Sequence, residues 1–177
     1  MNKLKNSTAY LAGPIQYTED DGVSWREVAS KFCKDTGIHI FNPVLKPRPY
    51  VSEISDEIKI IQALIAEGKF EEAHQYVKEK IVHVDLRMVD LSDFVIAYID
   101  PNIHTCGSYH EVFHAWEQKK PVLVFVEGGR NCTPAWLIGI IKPKYLFDNL
   151  TDLLHYLISL AMGDSEMDSK WVLFHEK

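Results

Sequence analysis

An α/β fold, a parallel sheet covered by helices on both faces, is predicted by two patterns in the chain. Short apolar runs such as Phe94–Ile99 and Pro121–Val126 are hydrophobic at successive positions instead of alternating, as strands buried on both faces are. Segments of helical periodicity separate these runs, and no two-residue hairpin turn joins any pair of them. The 177 residues suit one domain spanning 1–177, and a hydrophobic content of 46% supplies a full core.

Thr8–Ala12 reads as the first strand, ended by Gly13-Pro14. Val23–Asp35 is an amphipathic helix offering Val23, Trp25, Val28, Ala29 and Phe32 to one face, and Gly37 stops it. Ile38–Phe41 is a second strand closed by Asn42-Pro43, and the proline-rich stretch Val44–Tyr50 is a loop. Ile54–Glu67 is helical, Gly68-Lys69 interrupts it, and Phe70–Asp90 is helical with a break near Lys80. After the Phe94–Ile99 strand come a helix over Tyr109–Gln118, a fourth strand over Pro121–Val126 and a loop over Glu127–Asn131. A short helix at Pro134–Ile140, an edge strand at Tyr145–Phe147 and a last helix at Leu150–Met162 complete the set. Residues 44–80 make a long second crossover, consistent with an added helical hairpin or lid. Residues 163–177, polar and then aromatic at Trp171 and Phe174, read as a frayed tail or as an arm packing on this or another subunit.

A net charge of −6 and a pI of about 5.7 argue against a surface for nucleic-acid polymers, which needs clustered Lys and Arg. A small phosphorylated ligand stays open, since backbone N–H groups at a helix terminus can hold it. No apolar signal core follows Met1–Ser7, and no apolar run reaches the length of a membrane span. Cys33, Cys106 and Cys132 are odd in number and lack metal-ligand spacing, so a reduced, cytoplasmic protein is expected.

The most informative residue is Glu111, in Thr105-Cys106-Gly107-Ser108-Tyr109-His110-Glu111. It lies just past the third strand, where open α/β sheets place ligands, and is expected in the first turn of the following helix. A carboxylate there, near a glycine that lets a substrate approach, is placed to act as nucleophile or general base. The plainer reading is an acid favoured near a helix N-terminus by the macrodipole. Gly13, in Tyr10-Leu11-Ala12-Gly13-Pro14-Ile15, ends a strand without any nucleotide-binding glycine fingerprint. Asp85 and Asp90 precede the third strand; Asp85 either projects toward a ligand or pairs with Arg87 or Lys80 on the surface. Cys106 is better read as a small, partly buried thiol than as a nucleophile. His110 and His114 stand at a possible ligand spacing, but nothing completes a metal set, so no metal is expected.

Taken in order, Tyr10-Leu11-Ala12-Gly13-Pro14-Ile15, the block Asp85–Ile99, Gly107-Ser108-Tyr109-His110-Glu111 and the strand at Lys120–Phe125 resemble the nucleoside 2-deoxyribosyltransferase family. That family includes relatives that hydrolyse deoxynucleoside monophosphates. The resemblance implies a flavodoxin-like sheet of order 2-1-3-4-5, no cofactor, and a homodimer or an assembly of dimers. It implies that Glu111 attacks the anomeric carbon and that Asp85 contacts the base and manages its proton. Tyr10 and Gly13, with Ala12, Pro14 and Ile15 beside them, line the nucleoside pocket by the same comparison. The family's transferases carry another Asp six residues before the nucleophile, where this chain has Thr105. The monophosphate hydrolases carry a serine there that contacts phosphate, so Thr105 favours a 5′-nucleotide, with Ser108 as a second donor. Gly107 belongs to the same loop, and Asn131 is the nearest match to a residue that a neighbouring subunit contributes.

The activity implied is cleavage or exchange of the N-glycosidic bond of 2′-deoxyribonucleosides or their monophosphates. It passes through an oxocarbenium-like state that a carboxylate can trap as an ester. Two other classes remain open: a non-catalytic nucleotide-binding module of the same fold, and a flavodoxin-like interaction domain for which the acids are irrelevant.

Overall fold

The computed structural model describes residues 2–46 and 54–171. With no polar face to offer solvent, the apolar runs form one parallel sheet. Its strands are β1 (Thr8–Ala12), β2 (His39–Phe41), β3 (Phe94–Ile99), β4 (Val122–Val126) and β5 (Leu146–Phe147). Their order is β2-β1-β3-β4-β5, the flavodoxin-like order. β1 and β3 are central and in register from Ala9 opposite Phe94 to Ala12 opposite Ala97. Between them the direction of winding reverses, and it is past the strand ends at such a point that open α/β sheets place their ligands.

Helices α1 (Val23–Asp35) and α7 (Leu150–Met162) pack together on one face of the sheet. Helices α4 (His83–Leu91) and α5 (Cys106–Glu117) pack together on the other, as right-handed crossovers require. Helices α2 (Ile54–Ala66) and α3 (Phe70–Val77) fill the long second crossover, and α6 (Ala135–Ile140) precedes β5. No helix among the described residues is long and apolar enough to cross a membrane.

Three differences from the sequence reading bear on the site. First, α5 begins at Cys106, not at Tyr109. Gly107 and Ser108, poor helix formers, are already helical, and the Tyr109 N–H donates to the Thr105 carbonyl at 3.1 Å. Glu111 therefore lies in the second turn, away from the unpaired N–H groups on which the macrodipole explanation rests. Second, the break near Lys80 is a π-turn over Lys78–Val82, so α3 and α4 are continuous in path but not in phase. Third, the inner face of α1 is Arg26, Ala29 and Cys33, whereas Val28 is 54% exposed.

Beyond α7 the chain folds back so that Trp171 is fully buried, its ring 5.3 Å from that of Phe94. Its Nε1 donates to the Tyr145 hydroxyl at 3.0 Å, and Tyr145 in turn donates to Asp168 at 2.7 Å. Burial works against ionisation of Asp168, but hydrogen bonds from Lys142 and Tyr145 hold its carboxyl well below the usual range. Phe174 lies outside the described residues, as does most of the proline-rich loop.

Removing this anchor leaves a large hole at the edge of the core. Trp171→Ala is expected to lower the unfolding free energy by about 3–5 kcal/mol. Urea titration of the variant against the parent measures it, and a loss under about 1 kcal/mol would mean that the segment is not part of the core.

Candidate active site

On α5, the face presented to the sheet is Ser108, Glu111, Val112 and Ala115. Glu111 thus holds a position that helical periodicity reserves for apolar side chains, and it is 9% exposed. On α4, Asp85 shares the buried face with Met88 and Val89 in the same way. Both acids are core residues by placement, so neither is the surface charge that a lone acid usually is. Tyr10, fully buried on β1, donates its hydroxyl to Glu111 Oε1 at 2.8 Å.

Burial pushes the Glu111 carboxyl up to about 8, and the charge of Asp85 pushes the same way against the opposing pull of Tyr10 and Arg26. Burial likewise raises Asp85, to about 6, partly offset by Lys46, whose Nζ is 3.7 Å from Asp85 Oδ1. That Oδ1 accepts no hydrogen bond among the described residues. Burial and then the two carboxylates hold the Tyr10 phenol well above its ordinary value, so it remains a donor at neutral pH. Between about 6 and about 8 the pair of acids holds one proton.

The two helices that carry these acids are clamped together. Asp90 Oδ1 on α4 lies 2.8 Å from His114 Nε2 on α5 and accepts from Gln118 at 2.7 Å. Lys120 donates to the last carbonyls of α4, Val89 at 2.5 Å and Asp90 at 2.6 Å. His114 is thereby a structural contact, and its ring meets that of His110 edge-on at 6.3 Å.

The loop after β1 is held from behind by Arg26. Its guanidinium donates to the carbonyls of Gly13 at 2.8 Å, Gly22 at 2.7 Å and Pro14 at 3.2 Å. Ala12, Gly13 and Pro14 are buried and Ile15 is half-buried. A Cβ at Gly13 would stand 2.8 Å from the Trp25 ring and 3.2 Å from Tyr98 Cβ, so aromatic packing alone demands glycine there. Trp25, Tyr98 and Phe125 form one cluster near the C-terminal ends of β3 and β4, with Tyr98 and Phe125 stacked at 4.9 Å.

In the loop after β3, Thr105 is buried and its hydroxyl has no partner among the described residues. Ser108 is buried one turn on, while Gly107 is exposed with open space over its Cα. Cys106, expected to be partly buried, is exposed. Asn131 is exposed on a 3-10 turn (Arg130–Cys132), and no hydrogen bond among the described residues joins it to Tyr10 or Glu111.

Three buried charges at the site escaped the sequence reading. Arg26 had a signal, its i, i+3, i+7 register with Ala29 and Cys33 on the inner face of α1. Lys46 and Glu57 had none, because only the fold brings a loop lysine and a helix glutamate beside Asp85. Asp85 pairs with Lys46, not with Arg87 or Lys80 on the surface.

Desolvated acids at the switch point of a doubly wound sheet make a candidate small-molecule site. Residues 9–162 match the family model for nucleoside 2-deoxyribosyltransferases, and the chain belongs to that family. By class it is an enzyme of the N-glycosidic bond. A 2-deoxyribosyltransferase from Bacillus psychrosaccharolyticus shares the fold with a TM-score of 0.57 at 20% identity, over 85% of this chain and 92% of that one. The 2-deoxyribosyltransferase of Leishmania mexicana matches with a TM-score of 0.45 at 16% identity, over 81% of this chain and 79% of that one. The Clostridium botulinum CMP N-glycosidase BcmB matches with a TM-score of 0.46 at 11% identity, over 86% of this chain and 99% of that one. No curated protein sequence matches the chain at a significant level.

Burying Glu111 has a thermodynamic signature. It binds its proton more tightly in the folded chain, at about 8, than at the ordinary carboxyl value of 4.5. Wild-type stability is therefore lost as pH rises through that interval and stays lower above it. Glu111→Gln keeps an acceptor for Tyr10 and abolishes the titration. The melting temperature of the variant minus that of the wild type is expected to grow from about pH 5 to about pH 8 and then level off. A difference that is flat across this range would show a solvated Glu111.

Proposed function

We propose that the protein cleaves or exchanges the N-glycosidic bond of 2′-deoxyribonucleosides or their 5′-monophosphates, with Glu111 as the nucleophile. The observation that carries the reading is the buried carboxyl of Glu111, held by the Tyr10 hydroxyl at 2.8 Å with Asp85 close enough for its charge to be felt. Family membership supplies the bond at which it acts.

Tyr10 fixes one carboxyl oxygen, and the other attacks the anomeric carbon from the face opposite the base. The C–N bond breaks, its electron pair goes to the base nitrogen, and Asp85 delivers a proton to the base. The sugar is left as an ester on Glu111, which a second base or water then displaces. The reacting state has Glu111 ionised and Asp85 protonated, the minor of the pair's two one-proton forms, since Glu111 holds the shared proton more tightly; the proton must move to Asp85 before attack. Low dielectric around the site strengthens the attraction between a carboxylate and the developing oxocarbenium.

A 5′-monophosphate is the favoured substrate. Thr105 offers a buried hydroxyl without a partner at the N-terminus of α5, with Gly107 open beside it. A hydroxyl donates to phosphate without repelling it, and helix N–H groups add to the pull.

The reading is tested by chromatography of each deoxynucleoside and each 5′-monophosphate with the enzyme, with and without a second base. Free base from a monophosphate alone defines a hydrolase, and a new nucleoside or nucleotide defines a transferase. Binding without any product defines a non-catalytic module. Glu111→Ala is expected to abolish turnover while far-UV circular dichroism stays unchanged; retained turnover would remove Glu111 from the chemistry. Thr105→Asp is expected to lower kcat/KM for the monophosphate about 100-fold while sparing the nucleoside, since like charges side by side cost several kcal/mol. The kcat/KM profile is expected to be bell-shaped, falling below about 6 and above about 8.

A further inference from the structure

The inserted segment between β2 and α4 places two ionisable side chains in the core beside Asp85. Lys46 Nζ lies 3.3 Å from Glu57 Oε2 on α2 and 3.7 Å from Asp85 Oδ1 on α4, and it donates to the carbonyl of Lys80 in the π-turn at 3.0 Å. The side chains of Lys46 and Glu57 are 4% and 5% exposed. Burying an ammonium and a carboxylate is costly, and nothing in the packing of an α/β core calls for it. Their placement gives them an electrostatic task instead. One amine bridges the loop, the added helix, the π-turn and the acid on which leaving-group chemistry depends.

We propose that Lys46 and Glu57 are positioning residues that set the protonation of the Asp85–Glu111 pair, Lys46 favouring the ionised forms and Glu57 opposing them. The proposal rests on the reading of Asp85 and Glu111 as the acids of the reaction. Neither Lys46 nor Glu57 is asked to touch the substrate. Among the described residues, the charged and titratable groups that act on the pair include Tyr10 from β1 on Glu111, Arg26 from α1 and Lys46 from the loop after β2 on both acids, and Glu57 from α2 on Asp85. Tyr10 holds Glu111 by a hydrogen bond, and Arg26 is fixed on the carbonyls of Gly13, Pro14 and Gly22. Lys46 and Glu57 are the members of this group delivered by the insertion, so its seating reaches the chemistry through them.

The two residues have opposite signs, which separates this role from structural support. Removing the positive charge of Lys46 makes both acids harder to ionise. Lys46→Met is therefore expected to move the whole bell of kcat/KM to higher pH by about one unit, the effect of an opposite charge at this range. Glu57→Gln removes the opposing negative charge and is expected to move the bell to lower pH. Lys46→Arg keeps the charge and is expected to leave the bell where it is in the wild type. Opposite displacements, with the Arg variant in the parental position, support the proposal. Displacements in the same direction, or a profile that only loses height, overturn it. If Lys46→Met does not fold, Glu57→Gln decides alone, since only a movement toward lower pH fits the proposal. The outcome is also separable from the catalytic reading. An inactive Glu111→Ala with unmoved Lys46 and Glu57 profiles overturns this inference alone, whereas an active Glu111→Ala overturns both.

Discussion

The hydrogen bond from Tyr10 to Glu111 depends on a carboxyl being kept where a core side chain should be. A buried acid without partners would neutralise or let water in. Here the strand supplies a phenol, itself prevented from ionising by the same burial, and the helix supplies the acid. The second buried acid, Asp85, comes from α4, so α4 must also stay locked against α5. The contacts of Asp90 with His114, Gln118 and Lys120 provide that lock, which fixes α4 against α5 at the end of the helix far from the chemistry. Four residues near the helix ends thus hold together the two helices that carry the buried acids.

Around this pair the sheet provides the opening and the loops provide the lining. The switch point between β1 and β3 leaves the ends of both strands uncovered by a crossover. Arg26 ties the first loop to its helix through three carbonyls, and burial pulls its guanidinium below the usual range without removing its charge. It thereby serves the backbone as a hydrogen-bond hub and the acids as a distant cation. The aromatic cluster of Trp25, Tyr98 and Phe125 closes the rim on the same side and takes the space that a Cβ at Gly13 would need.

Much of the fold was legible because strands buried on both faces announce themselves as unbroken apolar runs. Thr8–Ala12 and Phe94–Ile99 were read to the residue, as were the helices Val23–Asp35 and Leu150–Met162. The start of α5 was not, because Gly107 and Ser108 have loop-like propensities and tertiary packing of the helix overrides them. In the site, Glu111, Asp85 and Tyr10 were reachable through short ordered motifs that resemble a family. Lys46 and Glu57 were not, since a lysine before a proline and a glutamate in a helix look like ordinary solvated residues. Their significance comes from distance in space, which neither periodicity nor spacing encodes. Val28 was misplaced for a related reason: an apolar residue on an amphipathic helix was assumed to face inward, and a buried arginine took that side.

The π-turn at Lys78–Val82 carries one residue more than an α-helical path would need, and an α-helix advances about 100° per residue. Deleting one residue there would rotate α3 and α4 against each other by about that angle, and either Ala73 or Asp85 would leave its buried position. The wide turn therefore acts as a phase adjuster between two parts of the chain under different demands. The added helices can follow the requirements of their own packing, while α4 keeps the angular setting that buries Asp85. An insertion joined to a core helix in this way can be remodelled in length and sequence without turning Asp85 out of its buried position, provided the bulge absorbs the change.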